Sequence, residues 1–196
     1  MNSIARLDPA LVRTIVAGFP NAPIWQSLGC AELVRTNRAK TTGTRDWAPL
    51  RNCEHKGGLY AFLFPGHLFR APQRIALHAP QKNKSRQTIQ FEFSSHADLL
   101  LPDGRMVAYV GRSANLLNRI NGHFSLREKS TLAQVQYGLA NCKTCSDRAD
   151  AVRFILEHAT LAYTVLDGPN NVANRDVIEV ALWGKYMTPF NIKSEH

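Results

Sequence analysis

The run Met106-Val107-Ala108-Tyr109-Val110-Gly111 passes without a linker into Arg112-Ser113-Ala114-Asn115-Leu116-Leu117-Asn118-Arg119-Ile120-Asn121-Gly122-His123. The first half has the β-branched and aromatic content of a buried strand, and the second repeats its apolar residues at helical spacing. Leu116, Leu117, Ile120 and Phe124 supply the helix's buried stripe, and Ser113 is placed to cap it. A strand that turns directly into a helix ties a sheet to a helical layer, which restricts the chain to mixed architectures.

A second strand precedes this unit. Gly58-Leu59-Tyr60-Ala61-Phe62-Leu63-Phe64 is continuously apolar and closes on Pro65-Gly66, a buried strand with a turn after it. Gln87 to Phe93 alternates polar and apolar residues and reads as an extra, inserted strand. Ser146-Asp147 opens a helix with Val152, Ile155, Leu156 and Ala159 on one face. Leu161 to Leu166 gives a third core strand, and Asn174 is set to cap a last helix running to about Tyr186. Near the N-terminus, Asp8-Pro9 followed by Leu11, Val12, Ile15, Val16 and Gly18 predicts a short capped helix. Residues 19–56 read as irregular. The expected fold class is therefore α+β, a small central sheet of about three core strands plus the inserted strand, flanked by helices. Residues 1–56 would form a helix and irregular extension, and 57–196 the main domain, with an insertion at about 67–104.

Charge narrows the partners. The net charge of +9 and pI near 9.7 suit a polyanion, since released counterions favour binding to phosphate backbones, although a basic surface also serves solubility. Arg35, Arg38, Lys40 and Arg45 form one polar basic stretch, and Lys82, Lys84 and Arg86 another. No apolar run approaches the ~18 residues of a membrane span. The N-terminal segment lacks the apolar core of a secretory signal, so a cytoplasmic protein is expected. Cysteines stand at 30, 53, 142 and 145, and the Cys142–Cys145 pair has the CxxC spacing of zinc or redox sites. Without a second such pair, inert thiols are the simpler reading of Cys30, Cys53, Cys142 and Cys145.

Several polar residues stand out against this frame. Arg119 and His123 are one helical turn apart, so both project from one face, and a guanidinium there can meet a phosphate oxygen. Glu179 interrupts the apolar helical run Val177-Ile178-Glu179-Val180-Ala181-Leu182-Trp183. A carboxylate in that setting is costly unless it is ion-paired, exposed on the polar edge, or holding a cation. One carboxylate with waters and a substrate phosphate is an ordinary environment for Mg²⁺, and a salt bridge explains the residue equally well. Tyr60 and Tyr109 would be plain strand aromatics were it not for their neighbours. A phenol with a pKa near 10 becomes a usable base only beside positive charge.

Taken in order, these residues resemble the GIY-YIG endonuclease superfamily. There a first motif ends in a strand tyrosine, matching Tyr60, and a second opens on a tyrosine, matching Tyr109. A helical arginine follows ten residues later, as does Arg119 here, with a His, Tyr or Lys four residues beyond, as His123. A helical glutamate holds the single divalent metal, matching Glu179. An asparagine after a proline closes the domain, matching Asn191 after Pro189. The resemblance spans about residues 57–192. Its tyrosine motifs are separated by 48 residues instead of a short hairpin, which suggests a restriction-like or stand-alone enzyme with an embedded recognition element.

That resemblance implies a DNA endonuclease dependent on Mg²⁺ or Mn²⁺. Water would attack phosphorus after deprotonation by Tyr60, with Tyr109 or His123 as the alternative base. Arg119 would steady the pentavalent phosphate, Glu179 hold the metal and Asn191 orient the site. Arg112, Lys82, Lys84 and Arg86 would contact the nucleic acid. Single- or double-stranded DNA and a homodimer on DNA are left open. The alternatives are a nucleic-acid-binding module on the same fold that does not cleave, and a zinc or redox protein built on the CxxC.

Overall fold

The computed structural model describes residues 7–35, 44–45, 47–69, 73–79, 87–93, 100–126, 133–141 and 144–191. Its elements run in the order α1 (Pro9–Gly18), β1 (Gln26–Gly29), β2 (Val34–Arg35), β3 (Thr44–Arg45), β4 (Gly58–Pro65), β5 (Gln73–Ala79), β6 (Gln87–Phe93), β7 (Arg105–Ser113), α2 (Leu116–Gly122), α3 (Gln134–Asn141), α4 (Arg148–His158), β8 (Thr160–Val165) and α5 (Val172–Tyr186). The fold is mixed α+β. Its centre is an antiparallel sheet in the order β1-β8-β4-β7. Two smaller two-stranded sheets, β2–β3 and β5–β6, stand apart from it.

Strand alternation divides the central sheet's side chains between two helical layers. Tyr60, Phe62, Tyr109 and Leu161 face one core with Leu116, Ile120 and Phe124 of the α2 segment, Val135 and Leu139 of α3, and Val152 and Ile155 of α4. Leu59, Ala61, Leu63, Val107, Val110 and Ala162 face the other, closed by Ile15 of α1 and Ile178 and Leu182 of α5. Burial on both faces explains why β4 reads as a continuous apolar run.

Pairing of β4 with β7 shifts between Phe62 and Leu63: Phe62 opposes Tyr109, whereas Leu63 opposes Val107. This bulge leaves Ala108 as the extra residue on β7. Beyond it, Tyr60 lies opposite Gly111 on one side and Tyr163 of β8 on the other.

Several expectations are corrected. The fourth strand of the central sheet is β1, out of the segment read as irregular. It is only four residues long and lies at the edge, paired from Gln26↔Tyr163 to Gly29↔Thr160. The inserted strand 87–93 does not join that sheet but pairs with 73–79. Asn115, not Ser113, caps α2 by accepting from the Asn118 amide at 3.2 Å, while Ser113 Oγ bonds the Asn115 backbone. Asn174 lies inside α5, because Pro169 starts a turn of 3-10 helix that leads into it, with Asn171 at the cap. The Asn174 amide oxygen instead accepts from the Asp8 amide at 2.8 Å, tying α1 to α5. The predicted α1 is present, with Asp8 accepting from the amides of Ala10 and Leu11.

Lys82, Lys84, Arg86, Arg38, Lys40 and Cys142 lie outside the described residues, as do the side chains of Arg35 and Arg45. No helix among the described residues is long and apolar enough to cross a membrane.

Candidate active site

β4, β7 and α2 bring four of the expected residues together. The Tyr60 hydroxyl lies 2.6 Å from His123 Nε2, with donor and acceptor set by the imidazole tautomer. The Tyr60 ring centroid is 5.9 Å from that of Tyr109, and His123 stands 5.3 Å from the first and 5.0 Å from the second, edge-on to both. Phe62 closes the group at 5.2 Å from His123. Arg119, three residues before Gly122 on the same helix, reaches the Tyr60 hydroxyl with its guanidinium.

Two glycines make this arrangement possible. A Cβ on Gly111 would stand 2.6 Å from both Cζ and the hydroxyl oxygen of Tyr60, and 2.8 Å from Tyr109 Cε1. The phenol of one motif thus lies over the glycine of the other. A Cβ on Gly58 would run into the Thr164 carbonyl oxygen of β8 and stand 2.6 Å from Leu116 Cδ1. The start of β4 therefore also needs a residue without a side chain, chiefly because of the β8 backbone.

Both tyrosines and His123 are buried. Arg119 and His123 do lie one turn apart, and the imidazole is fully buried in the core among Tyr60, Phe62 and Tyr109. His123 stands at the cap of α2 with a helical backbone, and the turn continues through Phe124 and Ser125, whose amides donate to the carbonyls of Asn121 and Gly122. Burial pushes the Tyr60 phenol well above its usual pKa, the neighbouring Tyr109 adds to the rise, and the Arg119 guanidinium opposes it. Arg119 has the effect expected of it, but desolvation outweighs it, so Tyr60 is a neutral phenol at rest.

Glu179 belongs to a second group. Alternation along β7 sends Arg112 toward α5, where its Nε lies 3.1 Å from Glu179 Oε2 and 2.8 Å from Asp176 Oδ1. Glu179 is only 3% exposed, and its place in the apolar run is explained by this ion pair. Asp176, one turn earlier on α5, was not singled out in the sequence; an i, i+3 carboxylate pair was its available signal. Arg175 is also buried, donating to the Leu166 carbonyl at 2.7 Å. Its desolvation and the nearby Arg112 lower its pKa, against the opposing pull of Asp167 and Asp176.

Asn191 joins the two groups through the backbone. Its Nδ2 donates to the Val110 carbonyl at 2.7 Å and its Oδ1 accepts from the Val110 amide at 2.9 Å. The Thr188 hydroxyl also donates to Oδ1, at 2.6 Å. A single side chain therefore satisfies both backbone groups of the residue between Tyr109 and Gly111 on the free edge of β7.

The residues here that could hold a hard divalent cation are Glu179 and its neighbour Asp176, both now on Arg112. Glu179 offers a buried carboxylate, and Asp176 can keep the Arg112 guanidinium when Glu179 is engaged. Among the described residues no group of three or more His, Cys, Asp or Glu gathers, so any such ion would keep several waters, as Mg²⁺ does. Burial pushes the thiol of Cys30 up to about 12 and those of Cys53 and Cys145 to about 11, which keeps the described thiols protonated near neutral pH.

Comparison of the chain with family models, with curated proteins and with solved structures finds no match.

Proposed function

We propose that the chain is a metal-dependent phosphodiesterase of the GIY-YIG type, a cytoplasmic endonuclease acting on DNA. The observation that carries this reading is the Tyr60 hydroxyl at 2.6 Å from His123 Nε2, inside a cluster that also holds Tyr109 and Arg119. A neutral phenol is a poor base alone, but one that donates to an imidazole can take a proton as it gives one up. An attacking water would lose its proton to Tyr60 while the phenol's own proton passes to His123 Nε2. The new P–O bond forms as the bridging P–O bond to the leaving oxygen breaks. Arg119 offsets the charge gathering on the non-bridging oxygens. A divalent cation at Glu179, when bound, would stabilise charge on the leaving oxygen. Asn191 holds the β7 backbone in register beside Tyr109.

Burial sets a condition on this reading: substrate must uncover the Tyr60 hydroxyl before water can meet it. The same burial, with Arg112 already on Glu179, favours the second reading, a nucleic-acid-binding module that does not cleave. Incubation with plasmid, linear duplex and single-stranded DNA in the presence of Mg²⁺ separates the two. Cleavage lost in Tyr60→Phe supports the first, and tight binding with intact DNA the second.

A further inference from the structure

His123 stands at the cap of a helix only seven residues long, and α2 by itself does not fix the imidazole. What holds this end comes from α3 and α4. Gln136 of α3 is fully buried, and its Nε2 donates to the His123 carbonyl at 2.5 Å and to the Ser125 carbonyl at 3.4 Å. Its Oε1 accepts from Arg148 Nε at 2.9 Å. Arg148, the first residue of α4 after the Asp147 cap, also donates through Nη2 to Ser125 O and through Nη1 to the Tyr137 hydroxyl, both at 3.4 Å. Its guanidinium lies 4.7 Å from the centroid of the Tyr137 ring.

The chemistry allows one orientation of this amide. A guanidinium only donates and a carbonyl only accepts, so Oε1 must face Arg148 and Nε2 must face His123. Arg148 thereby fixes the amide, and the amide fixes the backbone that carries the imidazole onto Tyr60. We propose that Gln136 and Arg148 are positioning residues for the Tyr60–His123 pair, setting the imidazole's orientation and with it the proton path of the reaction. The catalytic part of the proposal rests on the nuclease reading, whereas the orientation of His123 does not.

Gln136→Glu tests it with little change in volume. The carboxylate can still take Arg148 but cannot donate to the His123 carbonyl. The readout independent of activity is the ¹⁵N spectrum of the imidazoles, with His123 assigned by its loss in His123→Gln. Wild-type protein should show one His123 tautomer, and Gln136→Glu a shift toward a mixture of tautomers. On DNA with Mg²⁺, kcat should fall on the order of tenfold to a hundredfold with KM little changed, since misplacement of a reacting group acts on turnover. An unchanged His123 resonance in folded Gln136→Glu would overturn the proposal, even if the melting temperature drops. Should Gln136→Glu fail to fold, Arg148→Lys, which keeps the charge and loses the planar fork, carries the same test. If wild-type protein cleaves nothing, the nuclease reading fails, and the imidazole spectra still decide the positioning role.

Discussion

The Tyr60 phenol occupies the space that a side chain at position 111 would fill: the two residues face each other across β4 and β7, and a Cβ on Gly111 would come within 2.6 Å of the hydroxyl. One strand's tyrosine thus needs the other strand's glycine, which gives the spacing of Tyr109 and Gly111 a packing reason. Gly111→Ala should displace the phenol from His123. Overpacking of this kind costs about 1–3 kcal/mol. Chemical denaturation should show that loss, and activity should fall further than stability explains. A variant with wild-type stability and turnover would mean the ring moves aside freely.

Arg119 lies against the Tyr60 hydroxyl and opposes the rise in its pKa. Removing a stabiliser of transition-state charge lowers the rate on the order of 10²–10³-fold. Arg119→Ala should therefore reduce kcat by that order with a smaller change in DNA affinity. If only affinity suffers, Arg119 positions the substrate and the charge is offset elsewhere.

Glu179 and Asp176 share one guanidinium, at 3.1 and 2.8 Å from Arg112 Nε. Glu179→Gln leaves Arg112 its contact with Asp176, so the fold should melt within a few degrees of wild type. Cleavage should be abolished and Mn²⁺ binding, followed by calorimetry, lost. Cleavage at a near wild-type rate would remove Glu179 from the chemistry and leave it a salt-bridge partner. Asp176→Asn should weaken Mn²⁺ binding without abolishing it, because Arg112 is then left to Glu179 alone.

The alkaline limit of stability follows from Tyr60. Its folded pKa is raised above the unfolded value of about 10. The unfolded phenol ionises first, so the stabilisation is complete below about pH 10 and is lost as pH rises toward the folded value. Melting temperatures measured from pH 8 to 11 should fall above pH 10, and less steeply in Tyr60→Phe. Equal slopes in the two proteins would place the alkaline loss on other groups, the buried Cys30 thiol among them.

The readable parts of the fold were those with a local cause. Asp8 and Pro9 announce α1, and the apolar runs around Tyr60, Tyr109 and Tyr163 announce β4, β7 and β8. β1 escaped because Gln-Ser-Leu-Gly has no pattern of its own and becomes a strand only by pairing with β8. The helix α3, Gln-Val-Gln-Tyr-Gly-Leu-Ala-Asn, carries a glycine and polar residues that turn inward, so its periodicity is weak. In the site, the gathering of Tyr60, Tyr109, Arg119 and His123 was expected only through the family resemblance, since by spacing alone the tyrosines are plain strand aromatics. The burial of His123 was not, because it depends on the rings of Tyr60, Phe62 and Tyr109 that β4 and β7 pack around it. Asp176 and Gln136 act across 64 and 13 residues, on Arg112 and His123, and no local window holds both partners.

The central claim is that Tyr60 and His123 form the proton path of a phosphodiesterase. The most direct measurement compares cleavage of supercoiled plasmid by wild-type protein, Tyr60→Phe and His123→Gln with saturating Mg²⁺, alongside DNA affinity for each. The account predicts nicked or linear product from wild type alone, with all three proteins binding DNA comparably. Cleavage by Tyr60→Phe at the wild-type rate, or none by well-folded wild type on duplex and single-stranded DNA alike, would contradict it.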